Sequence, residues 1–222
     1  MIDFDRLIEQ HLRRDSWPKT PGRYYPSEIG GCMRKIWYSY KHPVEMDGDK
    51  VRVFHLGNML HDFIAEVLRS EKTPEVELLD SEMPFRLNVG SDIVVSGRVD
   101  DILLIKAEGK RYLVEVKSTK WLDRTKEPNA IHEMQLQMYM HGLNIHNGLL
   151  LYLDKNTLRS RVFEMPYRPE VAQEALRRFQ TLHEHITQGK LPMPEARLQD
   201  ALKWQCSYCD YRERCENEKC FS

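Results

Sequence analysis

The sequence predicts an α/β fold with a central mixed β-sheet flanked by helices. Two features carry that expectation. Between residues 76 and 118 the chain is rich in Val, Ile and Leu with partial alternation, the two-residue period of half-buried strands. On either side of this stretch the apolar residues recur at helical spacing instead. A third feature lies outside that plan: a run of cysteines near the C-terminus, which predicts a compact tail.

In chain order, residues 3–14 read as a short amphipathic helix with Phe4, Leu7, Ile8 and Leu12 on one face. A Pro- and Gly-rich loop follows (WPKTPGRYYPSEIGG) and stops at Cys32. Met33–Tyr40 reads as an aromatic helix. Val51–Arg69 reads as a longer one, with Val53, Leu56, Leu60, Phe63, Ile64, Val67 and Leu68 in its stripe and Pro74 marking the exit. Strands are expected at 76–89, 92–105 and 111–118, separated by the hairpin signals Asn88-Val89-Gly90-Ser91 and Glu108-Gly109-Lys110. A helix near Ile131–His146, a strand pair at Leu149–Asp154 and Ser160–Met165, and an amphipathic helix at 170–188 complete the plan. The last of these carries Val171, Ala175, Leu176, Phe179, Leu182 and Ile186 on one face.

Composition narrows the class. The chain has 222 residues, 41% hydrophobic and 30% charged, which suits one domain, 1–222, with a substantial core. No apolar run approaches the ~20 residues of a membrane span, and the N-terminus lacks the apolar stretch of a signal peptide. A cytoplasmic protein with no membrane partner is expected. A formal net charge of −1 announces no polyanionic partner, although a basic groove around an acidic metal site can hide inside a neutral total. Five cysteines in a reducing compartment point to metal or redox chemistry rather than disulfides.

Two strand segments carry candidate chemistry. Gly97-Arg98-Val99-Asp100 ends one strand, and Glu115-Val116-Lys117 lies on another. Residues two apart on a strand share a face, so Glu115 and Lys117 project together. Phosphodiester hydrolysis needs hard oxygen ligands for Mg²⁺ or Mn²⁺, an activated water and positive charge near the phosphoryl oxygens. Asp100 and Glu115 supply carboxylates, the Val116 carbonyl a further oxygen, and Lys117 the positive charge. Alone, VEVKST reads better as a Glu and a Lys on the solvent face of a half-buried strand. His61, inside LGNMLHDFIAEVL, alone reads as an ordinary helix histidine. Gln135 and Tyr139, four apart on the later helix, alone read as routine packing.

In order, however, His, G-x-x-D, E-x-K and Q-x-x-x-Y resemble the motif series of the RecB-like branch of the PD-(D/E)xK superfamily. That branch includes the nuclease domains of RecB and AddB and the fourth CRISPR-associated protein family. The resemblance spans Cys32 to Cys215. It implies a restriction-endonuclease-like core and a metal-dependent DNA exonuclease. By this resemblance His61, Asp100 and Glu115 bind Mg²⁺ or Mn²⁺, Lys117 serves catalysis, and Gln135 and Tyr139 stand beside the site.

Cys206, Cys209 and Cys215 form C-x₂-C-x₅-C, Cys220 follows, and Cys32 stands far upstream. Spacing leaves two readings open: a local zinc site on Cys206, Cys209, Cys215 and Cys220, or an iron–sulfur cluster on Cys32 and the first three. Relatives with a cluster place one cysteine before the nuclease motifs and three after, so the resemblance implies a [4Fe–4S] cluster on Cys32, Cys206, Cys209 and Cys215. The Cys32 segment and the 204–222 tail would then form one subregion. Many relatives carry proline after the first cysteine; here it is Met33.

Candidate contacts to unpaired DNA are Arg34, Lys35, Trp37, Lys120, Trp121 and Arg124, since aromatics stack on bases and basic side chains meet phosphates. His42, His55, His132, His141, His183 and His185 show no ligand spacing tied to these motifs. The expected activity is exonucleolytic trimming at single-stranded ends or overhangs, in CRISPR spacer acquisition or in repair and recombination. The rival class is a non-catalytic DNA-end-binding or assembly module acting through a partner integrase or helicase. A zinc-stabilised structural protein is the third reading.

Overall fold

The computed structural model describes residues 1–13 and 18–218. A mixed β-sheet forms the centre of the chain, and helices lie on both of its faces. It begins with the edge segment β1 (Arg23–Tyr24) and continues with β2 (Val76–Val89), β3 (Ile93–Ile105), β4 (Lys110–Thr119), β5 (Asn147–Asp154) and β6 (Ser160–Pro166). The helices are α1 (Phe4–Leu12), α2 (Pro26–Ile29), α3 (Met33–Lys41), α4 (Gly48–Arg69), α5 (Ala130–Leu143), α6 (Pro169–Thr187), α7 (Glu195–Leu198) and α8 (Arg212–Asn217). Short 3₁₀ segments occupy Leu122–Arg124 and Asp200–Tyr208. No helix among the described residues is long and apolar enough to cross a membrane.

Strand pairing follows the alternation. β2, β3 and β4 form an antiparallel meander, β4 and β5 run parallel, and β6 returns antiparallel to β5. β3 is the organising strand. One edge pairs with β2 along most of its length, and the other is divided. Val94 and Val95 pair with β1, whereas Asp101 to Ile105 pair with β4. Between these two ladders the sheet opens.

Two apolar layers hold the helices to the sheet. Beneath α5 and α6 the buried residues include Val99, Leu113, Leu136, Met140, Leu150, Phe179 and Leu182. Beneath α4 they are Leu60, Ile64, Leu103, Tyr112, Val114, Val116 and Leu153. The central strands β4 and β5 are therefore covered on both faces, as their near-continuous apolar runs require. α6 docks by Ala172, Ala175, Phe179, Leu182 and Ile186, most of the expected stripe.

Three expectations need correction. α4 buries Leu60, Ile64 and Ala65, but Val53, Leu56, Phe63 and Val67 of its stripe stay exposed, because the apolar arc is wider than the sheet surface it meets. α1 packs on α4 with no residue fully buried, and it stops at Leu12; Arg14 lies outside the described residues. α5 stops at Leu143 rather than His146, because Asn144 takes the left-handed conformation (φ 54°) that commonly closes a helix.

Phe179 is 1% exposed and packs against Tyr24 with ring centroids 6.1 Å apart. Phe179→Ala should lower unfolding stability by about 3–5 kcal/mol through the cavity it leaves. Phe54→Ala, at a 63% exposed site on α4, should change it by less than about 0.5 kcal/mol. Urea unfolding midpoints of the two variants check the contrast.

Candidate active site

The opening in the sheet is where the candidate residues gather. The β3–β4 ladder runs from Ile105↔Lys110 to Asp101↔Val114 and stops there, so the next residues, Asp100 and Glu115, flank a fork. Asp100 was expected at a strand end. β3 in fact continues to Ile105, and what ends at this point is its pairing with β4. Asp100 takes over the missing ladder bond: the Val116 amide donates to Asp100 Oδ2 at 2.8 Å. A buried amide is thereby satisfied by a side chain, and the carboxylate is fixed in direction.

Four further side chains meet there. His61, from the middle of α4, places Nδ1 3.4 Å from Asp100 Oδ1. Lys117 Nζ lies 2.6 Å from Glu115 Oε1 and donates to Gln135 Oε1 at 3.1 Å. Tyr139, one turn after Gln135 on α5, packs edge-on against Phe85 and sits over Gly97. A Cβ at Gly97 would come within 2.8 Å of the Tyr139 hydroxyl, which accounts for the glycine of the G-x-x-D motif.

Electrostatics tie these groups together. Glu115 is 1% exposed, not on a solvent face. Burial raises its pKa, the Asp100 charge raises it further, and Lys117 and His61 pull it back. Burial would lower Lys117, but Glu115 and Asp100 overcome this and hold the ammonium charged. Burial likewise opposes protonation of His61, and its bond to Asp100 prevails. Tyr139 is pushed up, first by burial and then by Glu115, so its hydroxyl keeps its proton. Neither Glu115 oxygen accepts a well-directed hydrogen bond. Carboxylates that crowd in a buried pocket, with an imidazole and unfilled acceptor capacity, are a donor set suited to a divalent cation.

Glu82 and His132 escaped the sequence reading. Glu82, on β2, brings a carboxylate oxygen into the group formed by His61 and Asp100, all within 4.8 Å of one another. His132, treated above as ordinary, lies on α5 one turn before Gln135; its Nδ1 is 2.9 Å from the Tyr152 hydroxyl. Its spacing from Gln135 and Tyr139 was the available signal. No sequence signal marks Glu82.

The proposed strand contacts divide. Arg34 is 2% exposed, and its Nε donates to the Pro192 carbonyl at 2.6 Å; Trp37 is 8% exposed and donates to the His185 carbonyl at 3.1 Å. Both face inward, because α3 packs against α6, so neither presents a surface to a strand. Lys35 is half-buried. Lys120, Trp121 and Arg124 are exposed just beyond Lys117, with the Arg124 guanidinium 4.7 Å from the Trp121 ring.

A second constellation joins the chain's two ends. Cys32, Cys206, Cys209 and Cys215 line one cavity, and none is in a disulfide. Burial raises the Cys206 and Cys209 thiols, and Cys32 nearby raises both further. The Cys32 amide donates to Gln205 Oε1 at 3.0 Å, and Arg34 Nη1 reaches Cys215 Sγ at 3.9 Å. Lys35, Arg197, Lys203 and Arg212 line the same cavity, which suits an anionic thiolate-bound group. Cys220 lies outside the described residues.

Comparison with known proteins agrees with the geometry. A family model described as the PD-(D/E)XK nuclease superfamily matches residues 4–216. The chain is 24% identical over 215 residues to the CRISPR-associated exonuclease Cas4 of Saccharolobus solfataricus, covering 95% of this chain and 94% of that one. Among solved structures, SSO0001 superposes with a TM-score of 0.64 at 23% identity, over 95% of this chain and 92% of that one. LHK-Exo in complex with dAMP gives 0.53 at 12% identity, over 85% and 95%. The alkaline exonuclease LHK-Exo from Laribacter hongkongensis gives 0.51 at 10% identity, with the same coverage. These structural likenesses establish the shared fold.

His132 supplies a test of this packing. Burial and the Lys117 ammonium push its imidazole down to about 3 from 6.5. As pH falls below 6.5 the unfolded chain gains a proton here that the folded chain refuses until near pH 3, so stability falls across that window. In metal-free protein, His132→Asn should lose less stability between pH 7 and pH 5 than wild type, by up to about 2 kcal/mol. Urea titrations at the two pH values measure it; equal losses would count against a buried neutral imidazole.

Proposed function

The chain belongs to the PD-(D/E)XK nuclease superfamily, and on that premise we propose that it is a Mg²⁺- or Mn²⁺-dependent DNA exonuclease acting at single-stranded ends or overhangs. One observation carries this reading: His61, Asp100, Glu115, Lys117 and Gln135 converge at the fork between β3 and β4. His61, Asp100, Glu115 and the Val116 carbonyl are the proposed metal ligands. His61 favours Mn²⁺, because imidazole suits softer transition ions better than it suits Mg²⁺. When bound, such an ion supplies Lewis acidity and makes a hydrolytic water available near neutral pH.

The chain's own groups do the rest. His61 must release its proton to become a ligand, so acidic solution opposes loading. Lys117, held charged by Glu115 and steered by Gln135, stabilises negative charge developing on the phosphoryl oxygens. Tyr139 stays a hydrogen-bond donor above Gly97. Lys120 and the Trp121–Arg124 pair extend from the same strand end and offer stacking and phosphate contacts to an unpaired strand.

Residues 1–222 are read as one nuclease domain. Its Cys32 segment and 204–222 tail form a subregion that holds a [4Fe–4S] cluster on Cys32, Cys206, Cys209 and Cys215. Supporting this are four undisulfided thiols around one cavity and the basic residues beside them. Such a cluster supplies a rigid covalent tie rather than hydrolytic chemistry. The likeness to the CRISPR-associated exonuclease supports a role in spacer acquisition, which would place an integrase among its partners.

On labelled single-stranded DNA, cleavage should vanish in EDTA and return with Mn²⁺. Lys117→Ala should lower the rate on the order of 10² or more while DNA binding changes far less. Cleavage undiminished in EDTA would sink the metal-site assignment, whereas DNA binding with no cleavage in Mn²⁺ would leave the end-binding module as the better reading.

For the cluster, Cys32→Ala purified without oxygen should lose colour and iron and become prone to aggregation, whereas Cys220→Ala should keep both. Metal analysis decides. Zinc in place of iron, lost from Cys220→Ala and kept by Cys32→Ala, would put a local zinc site in its place.

A further inference from the structure

Glu82 sits where a strand residue is least expected to be useful. Its φ is 54°, in the left-handed region that non-glycine residues seldom occupy. The β2–β3 ladder passes from Ser81↔Asp101 to Met83↔Val99 and omits the intervening pair, Glu82 and Asp100. The local twist takes Glu82 out of the ladder and brings a carboxylate oxygen within 4.8 Å of ligand atoms on His61 and Asp100. Asp100 is thus flanked by carboxylates from both neighbouring strands: Glu82 on β2 and Glu115 on β4.

We propose that Glu82 is a ligand of the divalent cation, completing on the β2 side the set formed by His61, Asp100 and Glu115. This rests on the metal-site reading above and adds a residue to it. Two independent observations support it. The group is a mixed one, an imidazole and two carboxylates with one ligand atom each in mutual reach. Beside it Glu115, 1% exposed and acted on by both Asp100 and His61, has two oxygens without a directed hydrogen bond. Lys117 meets Glu115 Oε1 at 2.6 Å, and the acceptor capacity left on Asp100 and Glu115 is of the hard-oxygen kind that a divalent cation takes.

Among the described residues, Glu82 has one competing ion-pair partner. Arg98 Nη1 lies 2.9 Å from Glu82 Oε2, with Arg98 68% and Glu82 40% exposed. An ion pair that open to water is weak, so a cation displaces it readily. Glu82 then turns from a surface partner of Arg98 to an inward ligand.

Mn²⁺ binding, followed by the electron paramagnetic resonance signal of free Mn²⁺, tests this without relying on cleavage. Glu82→Gln should weaken Mn²⁺ binding by at least the roughly tenfold that loss of even an outer-shell partner costs. Its thermal melt without metal should match wild type. Because Glu82→Gln also leaves the Arg98 charge unpaired near the site, the double variant Glu82→Gln/Arg98→Ala separates the two causes. Binding that stays weak in the double variant supports ligation. Binding restored in the double variant, or wild-type affinity in Glu82→Gln, overturns it. Asp100→Asn is the reference: if it abolishes binding while Glu82→Gln does not, Glu82 alone is misassigned. If neither variant changes Mn²⁺ binding, the metal-site reading falls with it.

Discussion

Everything at the site depends on Asp100 replacing a backbone partner. Where β3 parts from β4, the Val116 amide would be left unsatisfied inside the protein, at a cost of about 1–3 kcal/mol. The Asp100 carboxylate accepts it instead, and this single bond holds the fork open. Because Oδ2 is committed to Val116, Oδ1 is left facing His61, so one backbone requirement orients a carboxylate and, through it, an imidazole on the opposite layer. Glu115 then follows from strand alternation: Val114 and Val116 belong to the layer beneath α4, and Glu115 turns the other way with Lys117 toward α5. The fold and the charge cluster are consequences of the same break in pairing.

The second dependency is between the ends of the chain. Arg178 on α6 donates to the Ile29 and Gly31 carbonyls, both at 2.8 Å, and forks onto Glu195 with bonds of 2.8 and 2.9 Å. Glu195 in turn accepts the Met33 amide at 2.7 Å. Burial works against the Glu195 charge, but Arg178 and Met33 outweigh it and lower its pKa. The loop that delivers Cys32 is thus anchored to α6 and α7 by charge-assisted bonds before any metal is considered. Pinning residues so far apart in sequence removes much loop freedom, so Cys32 is held beside the tail cysteines by the protein's own bonds.

How much of this was legible depended on whether a residue's role was set locally. The strands announced themselves through Val, Ile and Leu alternation, and α6 through its stripe. His61, Asp100, Glu115, Lys117, Gln135 and Tyr139 could be lined up because each belongs to a motif on its own element. Glu82 could not, since its proximity to Asp100 depends on the β2–β3 register and on a left-handed residue that Glu does not advertise. Arg34 and Trp37 misled for the opposite reason. A basic, aromatic segment reads as surface, yet Pro192 and His185, far along the chain, supply the carbonyls that draw it inside. The exposed apolar residues of α4 likewise show that periodicity reports a helix's apolar arc, not how much of it finds a partner.

The contact between Gly97 and Tyr139 has a consequence for how the tyrosine is seated. The two residues lie on different elements, yet the hydrogen in place of a side chain at one is what admits the hydroxyl at the other. Even a methyl group at 97 would press on the tip of residue 139, so the phenol would have to swing aside before a larger side chain could be seated there. The reach of the tyrosine over the strand is thus set by what its neighbour lacks.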